Sequence, residues 1–126
     1  MENSENKQFN EQMRERSLNM AIGVYNLISF KKLRSQNNPL VNQLIRSSSS
    51  VAANYRSAAR GRSDAEFYSK ICIVVEECDE TQFWIEFLIR INLLSYEETK
   101  ELRDEIEQLV KIFTSIKKKM KDKLGR

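Results

Sequence analysis

Residues 60–66 read Arg-Gly-Arg-Ser-Asp-Ala-Glu, and the fold turns on them. A glycine after a helical run is a stop signal. Ser63 followed three residues later by Glu66 is a capping box, in which hydroxyl and carboxylate each take an orphan N–H of a helix start. One helix therefore ends near Arg60 and the next begins at Asp64, with room between them only for a tight reversal. Working outward, the same punctuation recurs. The single proline, Pro39, follows Asn37-Asn38, an N-cap before the first helical position. Ser95-Tyr96-Glu97-Glu98 is a second capping box. These signals predict four helices over 9–34, 39–60, 64–93 and 96–122. Short links favour antiparallel neighbours. The expected fold is all-α, an antiparallel up-down four-helix bundle over residues 9–122, with flexible segments at 1–8 and 123–126. Lys117-Lys118-Lys119 are expected to fray into solvent.

Periodicity supports the division. Met13, Ser17, Ala21, Val24 and Ile28 step by three and four, widened by Leu18, Ile22 and Tyr25. Val41, Leu44, Ser48, Val51, Tyr55 and Ala58 do the same, as do Phe67, Ile71, Val74, Cys78, Thr81, Ile85 and Leu88. The last helix offers Leu102, Ile106, Leu109, Phe113, Ile116 and Met120. This is the period of an apolar helix face. Two stretches exceed what one bundle needs. Ser47–Tyr55 is uncharged all round, with small residues Ser49, Ser50 and Ala53 off the main stripe. Phe83–Ile91 holds seven apolar residues in nine. A helix apolar round most of its circumference is deeply buried or at a subunit contact. Copies of the chain are therefore expected to associate, with Phe83, Trp84, Phe87 and Ile91 at the interface.

The 126 residues include 21 Lys+Arg, 18 Asp+Glu, no His, three Gly and one Pro. One domain fits that length. The Gly and Pro counts leave no room for a phosphate loop or a turn-rich β fold. Without His the commonest general base and metal ligand are absent, and Ser47–Ser50 have no Ser-His-Asp set to join. No enzymatic activity, cofactor or metal is expected. Cys72 and Cys78, six apart on one helix, point in different directions and read as reduced, small apolar residues. No segment is apolar enough to be a signal core or to span a bilayer. The expected setting is soluble and cytoplasmic, without membrane contact.

Charge is polarised. Residues 1–75 carry net +5, residues 76–107 net −8 and residues 108–126 net +6. A basic end can take a polyanion, or it can pair with acidic helices. Arg56, Arg60 and Arg62, with Lys70, straddle the reversal, and Lys111, Lys117, Lys118 and Lys121 line the last helix. These are the candidate nucleic-acid contacts. No aromatic lies among Lys117–Lys121, so contact is expected to be to phosphate rather than by base stacking. Arg46, Asn54, Glu77 and Glu80 form a second polar set, with Glu76 and Asp79 nearby. Their expected role is to pair across helices and fix register.

The run Arg46-Ser-Ser-Ser-Ser-Val-Ala-Ala-Asn-Tyr-Arg56 resembles a signature of the bacterial 23S rRNA intervening-sequence protein family. The likeness continues through Gly61-Arg62-Ser63, Glu66-Phe67 and Lys70, and returns at Glu77-Cys-Asp-Glu-Thr-Gln-Phe-Trp-Ile-Glu86. It covers about residues 40–90; the outer helices match in length and pattern only. Many members carry Ile-Ala-Glu-Gly after the asparagine, where this chain has Tyr55-Arg56-Ser57-Ala58, so any role tied to that Glu does not carry over. The resemblance implies an antiparallel four-helix bundle with Arg46, Asn54, Arg56, Glu77, Glu80 and Trp84 at signature positions. It also implies a ring-like homopentamer, as in the similar accessory variability protein of diversity-generating retroelements, which works with a reverse transcriptase and nucleic acid. The function expected is a non-enzymatic homo-oligomer binding RNA or a ribonucleoprotein through basic surface. The alternative is a protein-interaction scaffold without nucleic acid.

Overall fold

The computed structural model describes residues 4–33 and 38–126 and contains four helices: α1 (Ser4–Phe30), α2 (Pro39–Ala59), α3 (Asp64–Arg90) and α4 (Lys100–Lys123). No strand occurs among the described residues. Each helix lies beside its sequence neighbour, and α4 closes back on α1. Cross-helix contacts fix the directions. Tyr55 near the end of α2 donates to Asn10 near the start of α1 (2.8 Å). Asp64 at the start of α3 pairs with Lys123 at the end of α4 (3.0 Å). The bundle is therefore up-down and antiparallel, with its tightest link between α2 and α3.

The predicted caps form. Ser63 accepts from Glu66 N–H, while the Glu66 carboxylate takes the Arg62 N–H (2.6 Å). Asn38 accepts from Val41 N–H ahead of Pro39. Gly61 keeps a negative φ, so close approach is what demands glycine there. A Cβ would stand 3.1 Å from the Ala58 carbonyl and 3.3 Å from the Phe67 nitrogen.

Several boundaries differ from expectation. α1 starts at Ser4, not residue 9, so residues 4–8 of the expected flexible segment are helical; residues 1–3 lie outside the described residues. Glu, Lys and Gln are good helix formers, and Glu5 suits a positive helix start. α1 stops at Phe30, because Lys32 takes a left-handed φ of 57° and Leu33 N–H reaches back to the Ile28 carbonyl; the expected end at residue 34 lies outside the described residues. Asn92 does the same for α3 (φ 67°), ending it at Arg90 rather than residue 93. The box at Ser95 and Glu98 forms (2.6 and 3.1 Å) but closes a separate turn, with Thr99 bonded back to the Ser95 and Tyr96 carbonyls. α4 therefore begins at Lys100 instead of residue 96. At the C-terminal end α4 runs through Lys117–Lys119 to Lys123, which pairs with Asp64, and Gly125 (φ 68°) lets Arg126 N–H cap the Lys121 carbonyl.

The core runs the length of the bundle. Val24, Ile28, Val41, Leu44, Val51, Ile71, Val74, Leu88, Ile106 and Leu109 are buried around the stacked rings of Tyr55 and Phe113, 5.3 Å apart. Burial of each such side chain stabilises by about 1.5–3 kcal/mol. On α1 the buried stripe uses Met20 where Ala21 was expected, and Leu18, Ile22 and Tyr25 stay exposed rather than widening the core. The α2–α3 seam is small and polar: Ser47 and Thr81 are buried with their hydroxyl oxygens 3.1 Å apart. Every buried side-chain N or O among the described residues has a hydrogen-bond partner. Cys72 and Cys78 are free; burial, with Asp79 adding to it, pushes the Cys78 thiol up to about 12, which keeps it an inert filler. No helix is long and apolar enough to cross a membrane among the described residues.

Candidate nucleic-acid interface

The bundle brings the two basic stretches of the sequence to one end. The α2–α3 reversal and the last turns of α4 both lie there, tied by Asp64–Lys123. Arg56, Arg60, Arg62 and Lys70 line an open concavity of about 640 Å³ together with Ser57 and Ser69. Glu66 is the one carboxylate lining it, and that group is turned to the Arg62 N–H. Among the described residues, none of these four cations has a carboxylate within 4 Å. Lys117, Lys118 and Lys121 in the final turns of α4 are likewise without one. Lys111 is not part of this group. It sits twelve residues before Lys123, about 18 Å along the helix, and pairs with Glu107 of its own helix (3.6 Å).

A second concavity, about 590 Å³, opens beside the first and shares Gly61 and Arg62 with it. Its wall includes Phe9 of α1, which sequence reading passed over. Phe9 lies one turn before Met13 and continues the buried stripe of α1, yet is 41% exposed because the stripe there reaches the open end of the bundle. The signal was present in that spacing, but residues 4–8 had to be helical for a wall to exist.

The polar set on α2 and α3 is brought together only in part. Arg46 donates to Glu77 (2.8 Å) and to Glu80, bridging the two helices. Asn54 is not in that cluster: its amide bonds the carbonyl and hydroxyl of Ser50 on its own helix (both 2.9 Å). Glu76 and Asp79 are exposed. Among the described residues no three His, Cys, Asp or Glu side chains are grouped to hold a metal. Farther along α3, Phe83, Trp84 and Phe87 form a contiguous aromatic ridge, with ring centroids 4.9, 5.5 and 5.9 Å apart. Phe83 is 51% exposed and Ile91 is exposed beyond it.

Residues 8–115 match the description of the 23S rRNA-intervening sequence proteins. The chain belongs to this family. Among solved structures, a protein of unknown function from the S23 ribosomal protein family of Bacteroides thetaiotaomicron VPI-5482 is similar. It shares 30% identity, with a TM-score of 0.76 over 84% of this chain and 98% of that one. A comparison with curated proteins finds no match. The family match spans all four helices, beyond the middle segment whose motifs carried the resemblance, and takes in Phe9 and the cations of the α2–α3 reversal. Lys117, Lys118 and Lys121 lie past its end, so in this member the basic close of α4 extends the family's common part.

Proposed function

We propose that this family member is a non-enzymatic, cytoplasmic homo-oligomer that binds RNA or a ribonucleoprotein through the basic end of each bundle. The observation that carries the reading is the convergence of Arg56, Arg60, Arg62 and Lys70 in one concavity, at the same end as Lys117, Lys118 and Lys121, with no carboxylate ion-paired to any of them among the described residues. Unneutralised cations at one end of a protein attract a phosphate backbone and release its counterions on contact. Association of copies is supported by the aromatic ridge and by exposed Leu18, Ile22 and Tyr25 on α1. These are two different apolar surfaces on one chain, and a head-to-tail contact between unlike surfaces makes a ring when the rotation between copies closes; the family resemblance favours a closed ring of five copies. Such a ring presents every basic end together, and several weak phosphate sites then act as one strong one.

The test is a filter-binding titration against salt, alongside light scattering. RNA is expected to be retained at low salt, with affinity falling as about the third to fifth power of salt concentration. The particle mass is expected at a multiple of 14.8 kDa. No retention at low salt overturns RNA binding, and a solitary 14.8 kDa particle at high concentration overturns association. The aromatic ridge also suits a protein partner, the scaffold reading. A partner captured from lysate after nuclease treatment, with no RNA retained in the titration, establishes that reading in place of the first.

A further inference from the structure

We infer that the RNA taken at the basic end is unpaired, and that one of its bases leaves the stack to enter the concavity walled by Phe9; this rests on the RNA-binding reading above. The two concavities that meet at Gly61 and Arg62 differ in chemistry. The first offers guanidinium, ammonium and hydroxyl groups and has no aromatic lining residue. The second is mixed: Phe67 and Ile116 line it together with half-exposed Phe9, and polar groups, Arg62, Ser63 and Lys123 among them, make up as much of its lining as the apolar ones. Asp64 also lines it, holding Lys123 at 3.0 Å and adding an acceptor.

A pocket of mixed lining that combines an accessible aromatic ring with polar groups suits a nucleobase. Every base has a π face to stack, and amide or carboxylate groups can meet its edge. A strand crossing Arg62 would place phosphate on one side and a base on the other. A duplex satisfies only the first concavity, because its bases are stacked inside the helix and offer no free face. The cations on both sides of Arg62 argue for a nucleotide as the occupant, since an apolar peptide would leave Arg62 without an anion. The chain supplies this arrangement only because α1 begins at Ser4, which builds Asn6 and Phe9 into a wall.

The test compares a short single-stranded oligouridine RNA with an oligomer of the same length and backbone made abasic, at one salt concentration. The full chain is used in wild-type form and as Phe9→Ala and Phe9→Leu, with helicity checked by circular dichroism. Wild type is expected to bind the intact strand about five- to tenfold more tightly than the abasic one, the scale of one base on an aromatic ring. The salt slope is expected to be the same for both strands, because their phosphates are equal in number. Both variants are expected to lose that preference while binding the abasic strand as wild type does. Phe9→Leu keeps an apolar side chain without a π face, so the comparison holds if the alanine variant unfolds. Equal binding of intact and abasic strands by wild type overturns the base pocket and leaves phosphate binding standing. Failure to bind either strand at low salt overturns both readings.

Discussion

At one end of the bundle Lys31, just past the end of α1, lies 2.6 Å from Glu98, and Arg103 is laid over the ring of Tyr96 while bonding Thr99 and the Tyr96 carbonyl. At the other end Arg56, Arg60, Arg62 and Lys70 share one concavity, and among the described residues no carboxylate pairs with any of their side-chain charges. The same contrast runs along a single helix. Arg46 in α2 is held between Glu77 and Glu80, whereas Arg56 and Arg60, three and four turns farther on, face Ser69 and Lys70. Cations of one type thus serve two purposes here. Those with acidic partners set how helices meet. Those without are repelled by one another in the folded chain, and an anionic ligand relieves that repulsion.

The largest effect expected from breaking this contrast is on RNA affinity. Replacing Arg56, Arg60, Arg62 and Lys70 together by Gln should weaken binding about a hundredfold at low salt and flatten the salt slope by about three. Thermal stability should hold or rise slightly, because four like charges no longer repel. Arg46→Gln should do the reverse. It should leave RNA affinity unchanged and cost about 1–2 kcal/mol, because Glu77 is only 15% exposed and would keep its charge without a partner. Filter binding and chemical denaturation of the two variants side by side check both expectations. A large loss of RNA affinity in Arg46→Gln would erase the division between the two kinds of cation.

How much of this contrast was legible beforehand follows from the range of the interactions. The caps at Ser63 and Asn38 and most core positions are local or periodic signals, and they stand where the sequence puts them. Arg56, Arg60, Arg62 and Lys70 could be grouped because a tight reversal joins them within 15 residues. The convergence of Lys117–Lys123 on the same end followed from up-down topology. Arg46 meets Glu77 and Glu80, 31 and 34 residues away, as expected of that polar set. What could not be read was the pairing of other cations: Arg16 meets Glu105, 89 residues away. Those pairings depend on the rotation and register of each helix against its neighbour. Asn54 was drawn into the wrong group for that reason. Phe9 was missed because α1 has a polar first turn, which reads equally well as coil.

A smaller effect sharpens the comparison at the point where the two concavities meet. Gly61→Ala would set a methyl group against the Ala58 carbonyl and the Phe67 nitrogen, both backbone atoms that cannot swing aside. The end of α2 and the start of α3 must then part by a few tenths of an ångström. The expected cost is about 1 kcal/mol, seen as a drop of about 3–5 °C in melting temperature. RNA affinity should fall by less than in the fourfold variant, because all four cations remain and only their spacing changes. A variant that melts as wild type does would show that the reversal has slack, and that glycine is not what sets the distance between the two walls.

The smallest effect expected is at the opposite end, where Lys31 is paired with Glu98. The Glu98 carboxyl is held below the usual carboxylate range, chiefly by the Lys31 ammonium and then by the Ser95 N–H. A carboxyl whose pKa is lower in the folded chain than in the unfolded one stabilises the fold above the unfolded value, about 4.3. That contribution is lost as pH falls through the lower, folded value. Glu98→Gln isolates it, because glutamine can still complete the capping box with Ser95 but carries no charge. Wild type should therefore melt slightly above Glu98→Gln at every pH from 7 down to about 5, and the gap should close as pH falls below about 4. Lys31→Gln should narrow the same gap at neutral pH, because the largest cause of the depression is gone. The pair is partly exposed, so added salt should shrink the gap as well. A gap that persists unchanged into acid would mean that Glu98 acts through its cap geometry alone. Lys31 would then count with the unneutralised cations, and the two ends would differ less in charge than in shape.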